Sequence, residues 1–203
     1  MTDVGSSIDI AARHVRDGGV VAFPTETSYG IGASIFHPEA LAMVYQIKKR
    51  PEKKPLLVLI ASVEELVEIT DSITPYAKRL MDRFWPGPLT ILFRAREGLD
   101  PRLKNEQGQV AVRLTSHHMA QRFIKASGTP VTGTSANLSG MPPARSARDV
   151  LRGLQASHGL LAYVLDGGEL PPGLPSTIVD PSKEPCAVLR AGAVSPEDIL
   201  AVR

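Results

Sequence analysis

The sequence predicts an α/β fold on three observations. Apolar residues at helical spacing alternate with short β-branched runs along the whole chain, with neither kind gathered at one end. The composition, 43% hydrophobic and 22% charged, is that of a chain able to bury a core. The length, 203 residues, suits one domain covering 1–203.

Each element has its own signal. Ile8, Ala11, Ala12 and Val15 fall on one helical face, with Ser7 as cap and Gly18 or Gly19 as stop. GGVVAFP is a short buried strand running into a turn at Pro24. A helix starts at Pro38 with Leu41, Val44 and Tyr45 inward, and 55–61 is a strand. Ser62 and Glu65 have the spacing of a capping box. Thr74 and Pro75 open a helix over 75–84. Strands follow at 89–95 and 109–114, a helix at 117–126 and a strand in PVTGTS. Beyond lie a helix at 147–156, strands in AYVLD, STIVD and AVLR, and a last helix from Pro196. The glycines and prolines of 167–175 predict a mobile loop that orders when a ligand binds.

Composition also excludes. A net charge of +2 gives no general attraction to nucleic acid, so any basic site is local. A single cysteine, Cys186, rules out an internal disulfide and a cysteine-rich metal site, and suits a reducing compartment. The N-terminus lacks the pattern of a signal peptide, and no apolar run is long enough for a membrane helix, so a cytoplasmic location is expected.

Three stretches could carry chemistry. In residues 48–54 five of seven, Lys48, Lys49, Arg50, Lys53 and Lys54, are basic. They make either a solvated helix end complementing the helix dipole or a polyphosphate site. Lys48 continues the apolar stripe of Leu41 and Val44, so its side chain is aimed at the protein or a cleft, while Pro51 is expected to stop the helix and set Arg50. FPTETSYGIGA places hydroxyls and a glutamate after a buried strand, either as a polar turn in which Gly30 and Gly32 supply unusual backbone angles or as a ligand site at a strand end. VTGTSANLSG is either an Asn/Ser turn or a second wall of that site; Thr134 stands where a phosphate-binding loop needs lysine, which excludes that motif. His117 and His118 point apart on a helix and read as surface residues; Trp85 reads as packing. In QVAVRL, Val110, Val112 and Leu114 share one face and Ala111 and Arg113 the other. Arg113 therefore needs either a ligand or a nearby carboxylate.

Seven motifs in order, FPTET-YG, KxRP with a PL-V strand, WPGP-T, VAVR, TSAN-SG, PSTIVD and LR-G, resemble the YrdC/Sua5 family of threonylcarbamoyl-AMP synthases from about residue 8 to 200. The resemblance implies a single YrdC-like domain, a twisted mixed sheet curving around a basic concave cleft with helices packed outside. It implies a nucleotidyltransferase that joins L-threonine, bicarbonate and ATP into threonylcarbamoyl-AMP and pyrophosphate, the first step in modifying adenosine 37 of tRNA. It assigns Lys48, Arg50, Ser135 and Asn137 to catalysis. Arg50, Lys54, Ser135, Pro143 and Arg190 fall to ATP, and Thr27, Arg113 and Ser176 to threonine. Mg2+ would arrive with ATP and no metal is resident. The partners implied are a downstream threonylcarbamoyl-transferase complex and tRNA, with direct RNA binding left open. Leu59 stands where many longer members carry histidine, and the chain stops soon after Arg190, which suggests the stand-alone type. The competing possibilities are a carbamoyl-adenylate former like the related domain of hydrogenase-maturation proteins, and a double-stranded-RNA or ribosome-binding module without catalysis.

Overall fold

The computed structural model describes residues 2–51, 53–157 and 159–202. Two hydrogen-bonded sheets share one connecting segment. The first runs in the order β1 (Asp3–Gly5), β9 (Tyr163–Leu165), β2 (Val21–Pro24), β3 (Tyr29–Gly32), β8 (Thr134–Ser135). The second runs β11 (Ala187–Arg190), β10 (Thr177–Asp180), β5 (Leu89–Arg94), β6 (Gln109–Leu114), β4 (Val58–Ile60), β7 (Val131–Thr132). Both mix parallel and antiparallel pairs. Because β7 and β8 are consecutive, residues 131–135 leave one sheet and enter the other, and the whole behaves as one bent mixed sheet.

Gly133 makes that passage possible. A Cβ there would stand 2.4 Å from Leu59 Cγ and 3.0 Å from Leu57 Cδ2. Its N–H donates to the Leu57 carbonyl at 2.8 Å, so strand and joint are in contact.

The six helices are α1 (Ile8–Arg16), α2 (Pro38–Lys48), α3 (Pro75–Phe84), α4 (His118–Ser127), α5 (Ala147–Gly153) and α6 (Pro196–Leu200) among the described residues. Ser7, Thr74, Ser146 and Ser195 each accept from a backbone N–H of the first turn, as N-caps do. Two apolar layers result. α1 and α4 cover part of one sheet face, where the Phe23 and Phe123 rings lie 4.9 Å apart. α2, α3, α5 and α6 contribute to the larger core on the other face, against Ile31, Val58, Ile60, Ile91 and Val112. The face carrying Leu92, Ala111, Arg113 and Ile178 is left open as a cavity wall.

Several sequence expectations are corrected. The Ser62–Glu65 pair opens a 3-10 helix, Val63–Glu68, in which Glu65 accepts from the Ala61 N–H but the Ser62 side chain makes no cap bond. α2 ends before Pro51 because Lys49 takes the left-handed conformation with φ of 48°. Gly30 and Gly32 lie in β3 with ordinary φ, and at Gly32 the reason is space: a Cβ there would stand 2.6 Å from Phe23 Cε1. His117 is half-buried with Nδ1 inside the protein, whereas His118 is exposed. The loop 167–175 is anchored through its first half. The Tyr29 hydroxyl accepts from Gly167 N–H and donates to Gly168 O at 2.8 Å, while Arg145 donates twice to Leu170 O. Residues 171–174 are exposed, and among the described residues no hydrogen bond ties them down.

Candidate functional site

The cavity has a volume of about 600 Å3, within the usual range of roughly 300–1,000 Å3 for small-molecule sites. The turn after β2 (Thr25, Thr27, Ser28) and β6 meet along one part of its lining, and the 133–143 segment and Pro175, Ser176 and Arg190 supply the rest. A broader groove of about 910 Å3 adjoins it at Leu92, Asn105, Gln109 and Leu189, but none of the arginine clusters described below reaches it.

Lys48 sets the first end. It is 2% exposed, and it points from the last turn of α2 into the protein beneath the 135–137 turn. Its ammonium donates to the carbonyl of Ser135, to the carbonyl of Asn137 at 2.8 Å and to Asn137 Oδ1 at 3.3 Å. Asn137 Oδ1 also accepts from the Ser135 hydroxyl at 2.5 Å, and its Nδ2 donates to the carbonyls of Leu138 and Met141. The α2 terminus and the turn are tied a second time by Ser139 N–H to Lys48 O, 3.0 Å. Burial, with a smaller push from Arg50, brings the Lys48 pKa down to about 7.

The other members of the basic stretch diverge. Lys49, Lys53 and Lys54 are exposed. Arg50 alone of the five lines the cavity, held by its donation to Lys54 O at 3.0 Å and Pro55 O at 2.9 Å. Lys54 thus meets the site through its carbonyl. Ser135, Asn137 and Pro143 line the same end.

Two arginines build the second end. Arg190 donates to Ser176 O from Nε at 3.0 Å and from Nη2 at 2.7 Å, and to Ser176 Oγ at 2.9 Å; that hydroxyl also meets Thr90 Oγ1 at 2.8 Å. Gly192 lets this strand pass close: a Cβ there would lie 2.2 Å from Pro175 O and 2.7 Å from the Ser176 carbonyl carbon. Arg113 projects from β6 into the cavity, 3% exposed, as the strand's alternation requires. Its Nη1 donates to Thr27 Oγ1 at 3.3 Å and its Nε lies 3.3 Å from Glu26 Oε1. Burial pulls the Arg113 pKa below its ordinary value, and Glu26 opposes that pull. The carboxylate alternative for Arg113 is therefore realised, and by a residue of the FPTET turn to which the sequence reading gave no role. Its adjacency to Thr27 was the available signal.

The family model described as "Telomere recombination" (Sua5_yciO_yrdC) matches residues 13–192. The chain belongs to the Sua5/YciO/YrdC family. It is 38% identical to a threonylcarbamoyl-AMP synthase of Pyrococcus abyssi over 95% of this chain and 56% of that protein. It is 39% identical to one of Bacillus subtilis over 95% of this chain and 55% of that one. The crystal structure of P. abyssi Sua5 complexed with L-threonine superposes with a TM-score of 0.90 at 36% identity, covering all of this chain and 60% of that one. The chain thus spans about half the length of these two curated relatives. Like that Sua5 chain, this family member is an α/β YrdC-like domain with a mixed twisted sheet and peripheral helices. No helix among the described residues is long and apolar enough to cross a membrane.

Lys48 gives this family member a testable pH signature. An unfolded lysine keeps its proton to about pH 10.5, whereas the folded one loses it near pH 7. Between those values the unfolded chain binds more protons, so stability rises with pH. Denaturant unfolding from about pH 7 to 8, where most of the unfolded Cys186 still keeps its proton, should show that rise. Lys48→Met should flatten it. Equal slopes would mean that the buried ammonium carries no such penalty.

Proposed function

We propose that the chain is a threonylcarbamoyl-AMP synthase, joining L-threonine, bicarbonate and ATP into a carbamoyl adenylate with release of pyrophosphate. One observation carries this: a single cavity holds a guanidinium presented for a carboxylate at one end and a hydroxyl, amide and arginine set at the other. Arg113, Thr27 and Ser176 hold threonine. Arg50, Ser135, Pro143 and Arg190 hold ATP. Lys48 and Asn137 shape the turn that presents Ser135, and Lys54 contributes the carbonyl that fixes Arg50.

The threonine amine adds to bicarbonate, forming a carbamate as water leaves. A carbamate oxygen then attacks the α-phosphorus of ATP and pyrophosphate departs. No covalent enzyme intermediate is needed. What the chain supplies is proximity of two anions and positive charge beside the leaving group. Among the described residues no three acidic, histidine or cysteine side chains gather into a metal cage. Magnesium on the phosphate oxygens of ATP would neutralise charge there without one. The adenylate is a hydrolysable anhydride, handed to a transferase complex acting on tRNA. A module that binds a polyanion in a basic cleft has less support, because of the five basic side chains at 48–54 only Arg50 lines the cavity, Lys49, Lys53 and Lys54 being exposed and Lys48 buried beneath the 135–137 turn.

Pyrophosphate release should require L-threonine, bicarbonate and Mg-ATP together; equal ATP turnover without threonine would overturn the assignment. In the same assay Arg113→Lys should raise the threonine KM on the order of 10- to 150-fold, because lysine cannot copy the planar fork. The ATP KM should move by less than about threefold. Equal loss for both substrates would make Arg113 a purely structural partner of Glu26.

A further inference from the structure

We propose that Glu26 is the positioning residue of the threonine end: its carboxylate grips Arg113 from behind and turns the guanidinium fork into the cavity. This rests on the assignment of Arg113 to the threonine carboxylate.

Glu26 does not line the cavity, although its neighbours Thr25, Thr27 and Ser28 do. It sits behind Arg113, with one oxygen pinned: Thr115 Oγ1 donates to Glu26 Oε2, and Thr115 is itself wholly buried. The other oxygen, Oε1, is left for Arg113 Nε at 3.3 Å. That contact is close enough for charge attraction but is not aligned as a hydrogen bond. Among the described residues the buried side-chain polar atoms without a hydrogen-bond partner are three: Glu26 Oε1, Arg113 Nε and His117 Nδ1. All three belong to this one cluster, since Glu26 acts electrostatically on both His117 and Arg113. Unpaired polar atoms in a protein interior are costly, so their gathering behind one binding wall calls for a reason. For the Arg113–Glu26 pair a carboxylate ligand provides it. With Nε facing Glu26 and Nη1 facing Thr27, Nη2 and the second N–H of Nη1 remain for a ligand carboxylate. A small rotation on binding would straighten the Nε–Oε1 contact. Arg190 is near enough to repel Arg113, so without Glu26 the guanidinium would have a like charge nearby and no acid to offset it.

A bulk charge effect predicts the opposite outcome. Neutralising Glu26 leaves the cavity more positive, which by Coulomb attraction alone would tighten threonine. Glu26→Gln keeps size and the oxygen that Thr115 needs, but loses the charge. If Glu26 positions Arg113, the threonine KM rises about tenfold or more, while kcat at saturating threonine and the ATP KM stay within about threefold. Thr115→Val tests the same grip with the charge kept. It frees Oε2 and should raise the threonine KM about three- to tenfold, again sparing ATP. An unchanged or lower threonine KM in Glu26→Gln overturns the proposal. Should Glu26→Gln fail to fold, as judged by lost ATP affinity, Thr115→Val decides, and an unchanged threonine KM there overturns it. Wild-type pyrophosphate release that ignores threonine refutes the parent assignment, and is read before any variant is made.

Discussion

A lysine ammonium withdrawn from water must find oxygens, and those that Lys48 finds belong to the segment joining the two sheets. Its donations to the Ser135 and Asn137 carbonyls and to Asn137 Oδ1 tie the end of α2 to the bend. Gly133 lets the chain pass from β7 to β8, and Lys48 fixes where it goes next. Ser135, Asn137 and Pro143 reach the cavity because that turn is held. The K-x-R and S-x-N motifs, 87 residues apart between Lys48 and Ser135, are thus one structural unit.

The far end of the cavity solves the same problem differently. A lysine can shed its proton when burial becomes too costly, and Lys48, with its pKa near 7, is close to doing so. An arginine cannot, so Arg113 needs a counter-charge. Glu26 supplies it from outside the cavity, which leaves the open side of the guanidinium for a ligand. A carboxylate on the cavity side would have consumed that side. The buried pair is weak evidence for stability but sound evidence for orientation.

Much of this was legible in the residues. The alternation of Gln109 to Leu114 placed Arg113 on the correct face, and the stripe Leu41, Val44, Lys48 placed the lysine inward. What eluded the sequence had physical causes. β3 reads Tyr-Gly-Ile-Gly, and its glycines mimic a turn although both lie in extended strand, where Gly32 clears the Phe23 ring. The bend at Gly133 depends on strands that are remote in sequence. The five basic residues at 48–54 looked like one cluster, yet a single left-handed residue, Lys49, together with the donation of Arg50 to Lys54 O and Pro55 O, disperses them. The loop at 167–175 looked free because its anchors, Tyr29 and Arg145, lie far away in the chain.

The central claim is that one cavity, bounded by the joint between the sheets and by Arg113, holds both reactants. It is tested most directly by a crystal structure with L-threonine and a non-hydrolysable ATP analogue bound together. The amino-acid carboxylate is expected on Arg113 between Thr27 and Ser176, and the triphosphate along Arg50, Ser135 and Arg190, with the α-phosphate facing the threonine amine. Threonine bound away from Arg113, or the nucleotide seated in the adjoining groove instead, would contradict the claim.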